Sequence, residues 1–279
     1  LGRFVARISK LCVIIEKQKA NKMINKIKKL IPSTFKRNVR LLVHRGNKYK
    51  CPFCNYSSKD LSVIGEDLPV LIEKQVIGGG KRHGGCYNCG STDRERLIYI
   101  YLKEKINILN DCKDMKVLHV APEKNLTNFL LRLDFQQYVC GDLFTEGYSY
   151  PQHVQNLSIL NIPYDDNTFD LIICNHVLEH IQTDLLAMKE LQRVLKKGGR
   201  AILQVPISKN NLETFEDFSI TDPKQREKVF GQFDHIRIYG QDFTQRLQES
   251  GFKVNRINIS SEFMKYGLNK DEDIFICEK

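Results

Sequence analysis

Two cysteine pairs, Cys51/Cys54 and Cys86/Cys89, each close a Cys-x-x-Cys turn. Such a turn sets two thiolates on one side of a metal, and two turns complete the tetrahedral shell that zinc prefers. Four thiolates leave no open position, so the expected Zn2+ is structural. Between the pairs, Val70-Leu71-Ile72 after Pro69 is the expected strand of a hairpin, and Gly78-Gly79-Gly80 its flexible turn. His83 lies nearby but is not needed as a ligand. A second group, Asn175, His176, Glu179 and His180, follows the apolar run 169–174. At helical spacing His176, Glu179 and His180 share a face, which admits a His/Glu/His metal cluster; a histidine there can also cap or pack. We read these residues rather as a wall of a cofactor or substrate site. A third group lies in FGQFDHIRIYG, residues 230–240, which is dense in polar chemistry and short of apolar periodicity. His235, the side-chain type that titrates nearest working pH, is the candidate general base. Arg237 suits an anionic acceptor, and Tyr239 can orient it. The competing reading pairs His235 and Arg237 with Asp234 or Glu216, pinning the loop.

The elements around these groups point to an α/β fold. Phe169 to Cys174 is short and apolar enough for a buried strand, and a helix capped by Thr183 or Asp184 follows, with Ala187, Met188, Leu191, Val194 and Leu195 as its stripe. Gly198-Gly199 stops that helix, and 200–205 is a further buried strand. Strand, polar turn, helix and strand make a βαβ unit, in which ligands bind beyond the carboxyl ends of the strands. Upstream, Thr92 to Glu95 is a capping box opening a helix through Leu102. Val117 to Val120 is the first strand of the sheet, and 138–143 the second. Residues 242–247 read as a helix, and 252–259 as a terminal strand.

The stretch FDLIICNHVLEHI…ELQRVLKKGGRAILQVP resembles the second half of a class I S-adenosylmethionine-dependent methyltransferase of the type 11 group, and the likeness runs from about Val117 to Val254, roughly half the chain. It implies a doubly wound, mostly parallel Rossmann-like sheet and S-adenosylmethionine as cofactor. Where the family has a Gly-rich turn after the first strand, this chain has Ala121-Pro122-Glu123, similar to a subgroup with an Ala-Pro-Glu turn. The resemblance places His119 of that strand and Ala121 and Glu123 of the turn against the cofactor, and assigns the ribose hydroxyls to Asp142, with Leu143 next to it also at the cofactor. Ser158 stands where the family's adenine-binding Asp would be, Ile159 against the adenine plane, and Asn175 and His176 beside the cofactor. The segment with His235, Arg237 and Tyr239 is similar to one that covers the cofactor and shapes the acceptor pocket.

Charge is distributed unevenly. The formal net charge is +10, yet residues 1–50 alone hold 15 Lys/Arg against Glu16, leaving the remaining chain mildly acidic. Residues 1–33 contain two amphipathic helical patterns, the second ended by Pro32. We expect three parts: a basic helical arm over 1–47, a zinc ribbon over 48–91, and a methyltransferase domain over 92–279 with a linking helix at 92–106. The arm reads first as a helix packed with a solvated basic face, next as a peripheral membrane contact, and last as a nucleic-acid arm. No run reaches the length of a membrane span and no signal peptide is evident, so we expect a cytoplasmic protein, or one peripheral to the inner face of the membrane. The expected activity is methyl transfer to oxygen or nitrogen of a small molecule or glycan precursor, because the acceptor segment is compact and the body is not basic. RNA methylation, with ribbon and arm as grip, and a non-catalytic scaffold are the alternatives.

Overall fold

The computed structural model describes residues 32–279 except 111 and 148. Two compact units divide at Arg45. In the first, helix α1 (Ser33–Val43) follows Pro32, and Phe35, Val39, Leu42 and Val43 are exposed on it. The two amphipathic patterns within residues 1–31 lie outside the described residues. Among the described residues, no helix is long and apolar enough to cross a membrane.

The second unit is built on a seven-stranded sheet. Its strands are β1 (Lys116–Val120), β2 (Gln137–Asp142), β3 (Val154–Asn156), β4 (Phe169–Asn175), β5 (Leu195–Gln204), β6 (Lys253–Ile257) and β7 (Ile274–Glu278), in the spatial order β6-β7-β5-β4-β1-β2-β3. All neighbours are parallel except those of β7, which runs antiparallel to β5 and β6. The central strands are apolar on both faces because helices cover both. On one face Leu118, Ile172, Cys174 and Leu203 pack with α5 (Asp184–Val194) and α7 (Phe243–Glu249). On the other, Val117, Leu171, Ile173 and Ile202 pack with α3 (Asp93–Ile100) and α4 (Lys124–Leu130). The helices on both faces make the sheet doubly wound. The chain turns one way from β1 to β3 and returns on the other side of β1 as β4, so the topological switch point lies between β1 and β4.

Three expectations need correction. Val70 to Ile72 is not a strand but part of α2 (Pro69–Glu73). Pro69 occupies the first helical turn, where its missing N–H costs nothing, and Leu71 packs where a side chain on Gly231 would stand. Helix α5 ends at Val194, before Gly198-Gly199, and Leu195 already pairs with Phe169; Gly198 instead takes φ +75° where the register breaks. The strand at 253–257 is the sheet's edge, and the terminal strand is β7, inserted between β5 and β6.

Residues 48–91 do not stand apart from the body; they share its compact unit. Arg96 is the buried clasp. Its guanidinium donates to the carbonyls of Ser91 (2.7 Å), Gly84 (2.9 Å), Tyr266 (2.6 Å) and Gly267 (2.8 Å). Beyond the cysteines, the strand Val76–Ile77 pairs antiparallel with Ile207–Ser208, just past β5. A hairpin of Ser62–Ile64 with Arg82–Gly85 carries this loop over the carboxyl ends of the sheet.

Candidate functional site

The four cysteine sulfurs come together within 4.8 Å of one another. Cys51 and Cys89 are 3.6 Å apart, as are Cys54 and Cys86, and none forms a disulfide. Both knuckles have the same backbone: Asn55 N–H donates to the Cys51 carbonyl and Gly90 N–H to that of Cys86, each at 2.9 Å. Asn55 and Gly90 both take positive φ. A tetrahedral zinc with bonds of about 2.3 Å fits sulfurs at this spacing. His83 is turned to the Leu61 carbonyl at 3.0 Å and is not part of the cluster.

At the switch point, the residue just after β1, Ala121, takes φ +47° and the residue just after β4, His176, takes φ +55°. Two side-chain-bearing residues in the left-handed region, just past the ends of neighbouring strands, are the kind of strain that marks working sites. The Ala121 N–H is held by the Gly141 carbonyl (2.8 Å), and the His176 N–H by that of Gln204 (2.8 Å). Glu123 spans the crevice: Oε2 is 3.1 Å from His119 Nε2, and Oε1 accepts from Asn175 Nδ2 at 3.2 Å. His119 Nδ1 lies 2.8 Å from the Tyr138 hydroxyl. Burial opposes ionisation of Glu123, but His119, with Arg94 and Asn175 adding to it, holds the carboxyl below its usual range. An ionised carboxylate therefore faces the switch point.

Helix α4 begins here, and its N-terminus is already occupied. Glu95 Oε1 accepts from the Asn125 N–H (2.9 Å) and from Asn125 Nδ2 (3.1 Å). In dinucleotide-binding sheets that position takes the pyrophosphate. With Glu95 on the helix and Glu123 beside it, a phosphate meets two carboxylates, whereas a cation or a zwitterion's ammonium meets complementary charge. Asp142 ends β2 at the same edge, half-buried, and burial raises its carboxyl. Its register partner on β3 is Asn156, which brings Ser158 two residues beyond to that edge. Leu143 is exposed there, while Ile159 is buried in the core. The Ser158 Oγ accepts from the Leu160 N–H at 3.3 Å.

A cavity of about 510 Å³ opens beside the switch point, lined by His176, Glu179, His180 and His235 on one side and by residues between Ile64 and Arg82, in the segment joining the two cysteine pairs, on the other. His180 and Glu179 sit on a single 3₁₀ turn, Leu178–His180, and the Ile236 N–H donates to the Glu179 carbonyl (3.2 Å), bringing the 230–240 segment against that turn. Asp222 caps helix α6 (Pro223–Phe230) and Gly231 ends it with φ +84°, so the chain reverses into the His235 loop. Glu179 Oε1 is 3.3 Å from His176 Nδ1 and 4.0 Å from His235 Nε2; His180 Nδ1 is 3.4 Å from Asp234 Oδ2. Burial opposes ionisation of Glu179, but the three histidines around it hold the carboxyl at about 2. Burial pushes the His235 imidazole down, as it does that of His176.

Arg237 borders the cavity, but it and Tyr239 are engaged with buried protein partners rather than left free for an acceptor. Both are fully buried. Arg237 is ion-paired with Asp184 (2.5 Å) and Glu216 (3.0 Å), and the Tyr239 hydroxyl donates to Asp184 at 2.7 Å. The pinning alternative therefore describes Arg237, through Glu216 and, beyond what was expected, Asp184. Arg94, which lines the cavity, and Glu272, which lies beside Gly78 and His176, are further groups of this site. The capping box was legible, but Arg94 within it carried no signal of facing a cavity.

Buried polar atoms without a hydrogen-bond partner gather around this crevice: Arg94 Nε, Asn175 Oδ1, His176 Nε2, both Glu179 oxygens and Glu272 Oε2. Native interiors leave few such atoms, so their concentration marks a place for a polar ligand.

Residues 123–203 match the family described as a methyltransferase domain. An uncharacterized protein of Methanocaldococcus jannaschii is 37% identical over 120 residues, covering 42% of this chain and 52% of that protein. The demethylmenaquinone methyltransferase of Staphylococcus haemolyticus is 27% identical over 150 residues, 50% of this chain and 57% of that enzyme. The chain thus spans little more than half the length of these relatives. A solved S-adenosylmethionine-dependent methyltransferase of Archaeoglobus fulgidus superposes with a TM-score of 0.43 at 12% identity, over 66% of this chain and 94% of its own.

Proposed function

We propose that this protein is an S-adenosylmethionine-dependent methyltransferase whose acceptor is a small molecule or a glycan precursor, methylated on oxygen or nitrogen. The carrying observation is the charge at the switch point. Glu95 already occupies the α4 N-terminus and Glu123 is ionised beside it, which favours a cofactor bearing positive charge over one bearing phosphates. The methyltransferase-domain match over residues 123–203, which takes in Glu123 but not Glu95, supports this choice. When bound, the cofactor supplies a methyl already activated by sulfonium charge.

In this reading Asp142 accepts the ribose hydroxyls, Glu123 faces the methionine ammonium, and Asn175 Oδ1, buried without a donor, takes a hydrogen bond from the cofactor. The residue set fits the group. Ala121 is small enough for close approach, and its left-handed backbone turns the chain as a glycine would. The structural zinc of the four cysteines serves the same site, since the ribbon supplies one wall of the cavity. That enclosed wall supports a small acceptor over an RNA grip. His176 and His235, kept neutral by burial, are in place to accept an acceptor's proton.

Calorimetric titration of the zinc-replete protein with S-adenosylmethionine and S-adenosylhomocysteine tests the proposal. Micromolar binding by wild type, weakened on the order of 10-fold or more in Asp142→Ala, is the expected result. No heat from the folded protein with either ligand overturns the assignment and supports the scaffold alternative.

A further inference from the structure

We infer that Glu179, His180 and His235 form a second metal site, separate from the four cysteines, for a divalent first-row transition ion whose remaining coordination positions open to the cavity. The ligand atoms of these three residues lie within 4.8 Å of one another. An ion about 2.1 Å from each would hold them about 3 to 3.5 Å apart, so side-chain rotations of under an ångström or two complete the set. Two imidazoles and one carboxylate on one side of an ion, with open positions opposite, are the ligands of facial-triad iron sites and of catalytic zinc.

Two independent observations favour an ion over a closed polar network. The Glu179 side chain is 2% exposed, its oxygens accept no well-formed hydrogen bond, and His176 Nδ1 at 3.3 Å from Oε1 is its nearest partner. A buried carboxylate so thinly partnered is costly, and a bound cation removes that cost. In addition, Asp234 Oδ2 sits 3.4 Å from His180 Nδ1. Carboxylates placed this way orient ligating histidines, leaving Nε2 for the ion. The His180 and His235 rings meet edge to plane, 4.7 Å between centroids and 81° apart, so they do not stack over the space an ion needs.

The site's outer ligand comes from the cavity, which Arg94 also lines with its Nε unpartnered, while Arg82 is held by Asp93 at 2.6 Å. Arg94 suits an acceptor with a hydroxyl beside an anionic oxygen, the two binding the ion together. This extension rests on the methyl-transfer reading; the metal site itself does not. A hydroxyl bound to the ion loses its proton to water in the open cavity. The resulting alkoxide oxygen then bonds to the sulfonium methyl, and the carbon–sulfur bond's electron pair returns to sulfur. His235 is then an ion ligand and not the free base.

The test uses the full chain with zinc on its cysteines, without S-adenosylmethionine. Metal content after gel filtration is measured as isolated and after addition of Co2+, with the visible spectrum recorded. The expected wild type holds one equivalent beyond that of the cysteines, and Co2+ in it shows ligand-field bands with no thiolate charge-transfer band. Glu179→Gln and His180→Ala each lose this equivalent while keeping the cysteine zinc, which reports that the chain is folded. Asp234→Asn weakens the second site about 10–100-fold. A wild type that holds only the cysteine equivalent overturns the inference, as does retention of the second equivalent in both Glu179→Gln and His180→Ala.

Discussion

Replacing Asp184 with alanine should be among the most damaging single changes in this protein. Its carboxylate is buried and carries two guanidinium groups and a phenol. Arg237 Nη1 is at 2.5 Å, Arg246 Nη2 is 2.9 Å from each oxygen, and the Tyr239 hydroxyl is at 2.7 Å. Without it, the fully buried Arg237 keeps Glu216 at 3.0 Å, the Gln182 carbonyl at 3.0 Å and the neutral Tyr239 hydroxyl at 3.1 Å. Removing one partner of a buried ion pair costs about 3–5 kcal/mol, chiefly through the charge left behind. Glu216 is retained and Arg246 is partly exposed, so the lower end, about 3 kcal/mol, is expected for Asp184→Ala. Spread over a unit of this size, that lowers the melting temperature by on the order of 10 °C. Urea unfolding of the zinc-replete chain, followed by circular dichroism because the chain has no tryptophan, measures it. The double variant Asp184→Ala/Arg237→Met should recover part of the loss, since it removes the stranded cation as well. A single-variant loss below about 1 kcal/mol, or strictly additive losses in the double variant, would refute the reasoning.

Glu123→Gln should weaken S-adenosylmethionine binding on the order of 10–100-fold while leaving the fold intact, because the amide keeps the shape but not the charge; calorimetry giving affinity within about twofold of wild type would remove Glu123 from the cofactor site. Chelating the zinc should raise amide hydrogen exchange across residues 51–91 and the cavity wall they build, since metal binding is part of that segment's folding energy; unchanged exchange in the metal-free chain would contradict this. Glu272 gives a pH signature. Burial, with Asp93 adding and Arg82 and Arg94 opposing, pushes its carboxyl from 4.5 up to about 7. The native state then holds the proton more tightly than the unfolded chain. Its contribution is fully present below about pH 4.5, declines up to about pH 7 and is level above, a difference of at most about 3 kcal/mol. Glu272→Gln should therefore match wild type near pH 4 and exceed it at pH 8, and parallel stability curves for the two proteins would show that Glu272 does not titrate this way.

Much of the framework was legible in the residues themselves. The apolar runs of β1, β4 and β5, the periodic stripe of α5, the Thr92 capping box and the two cysteine knuckles are local patterns. Strand burial, helix amphipathicity, capping and metal-turn spacing each depend on a few neighbouring residues, so a single chain displays them. Where neighbours compete with distant contacts, the sequence pointed the wrong way: Val70 to Ile72 has strand-like side chains, yet Pro69 and the packing of Leu71 near Gly231 make it a helix. Nor does any local pattern tell that Ile274 to Glu278 inserts between two earlier strands, because pairing partners are chosen across the whole chain.

The site divides in the same way. Asp142, Asn175 and His176 could be placed from the ends of recognisable strands. The roles of Arg237 and Tyr239 could not, since whether an arginine faces a ligand or a buried carboxylate depends on Asp184, more than fifty residues away in the chain. Glu95 at the tip of α4, the segment between the cysteine pairs as a cavity wall, and His235 brought beside Glu179 and His180 are likewise products of tertiary packing. Local sequence determined which chemical groups this protein carries and on which elements. Only the folded sheet, by closing contacts between residues far apart in the chain, decided which of those groups are spent on each other and which face the cavity.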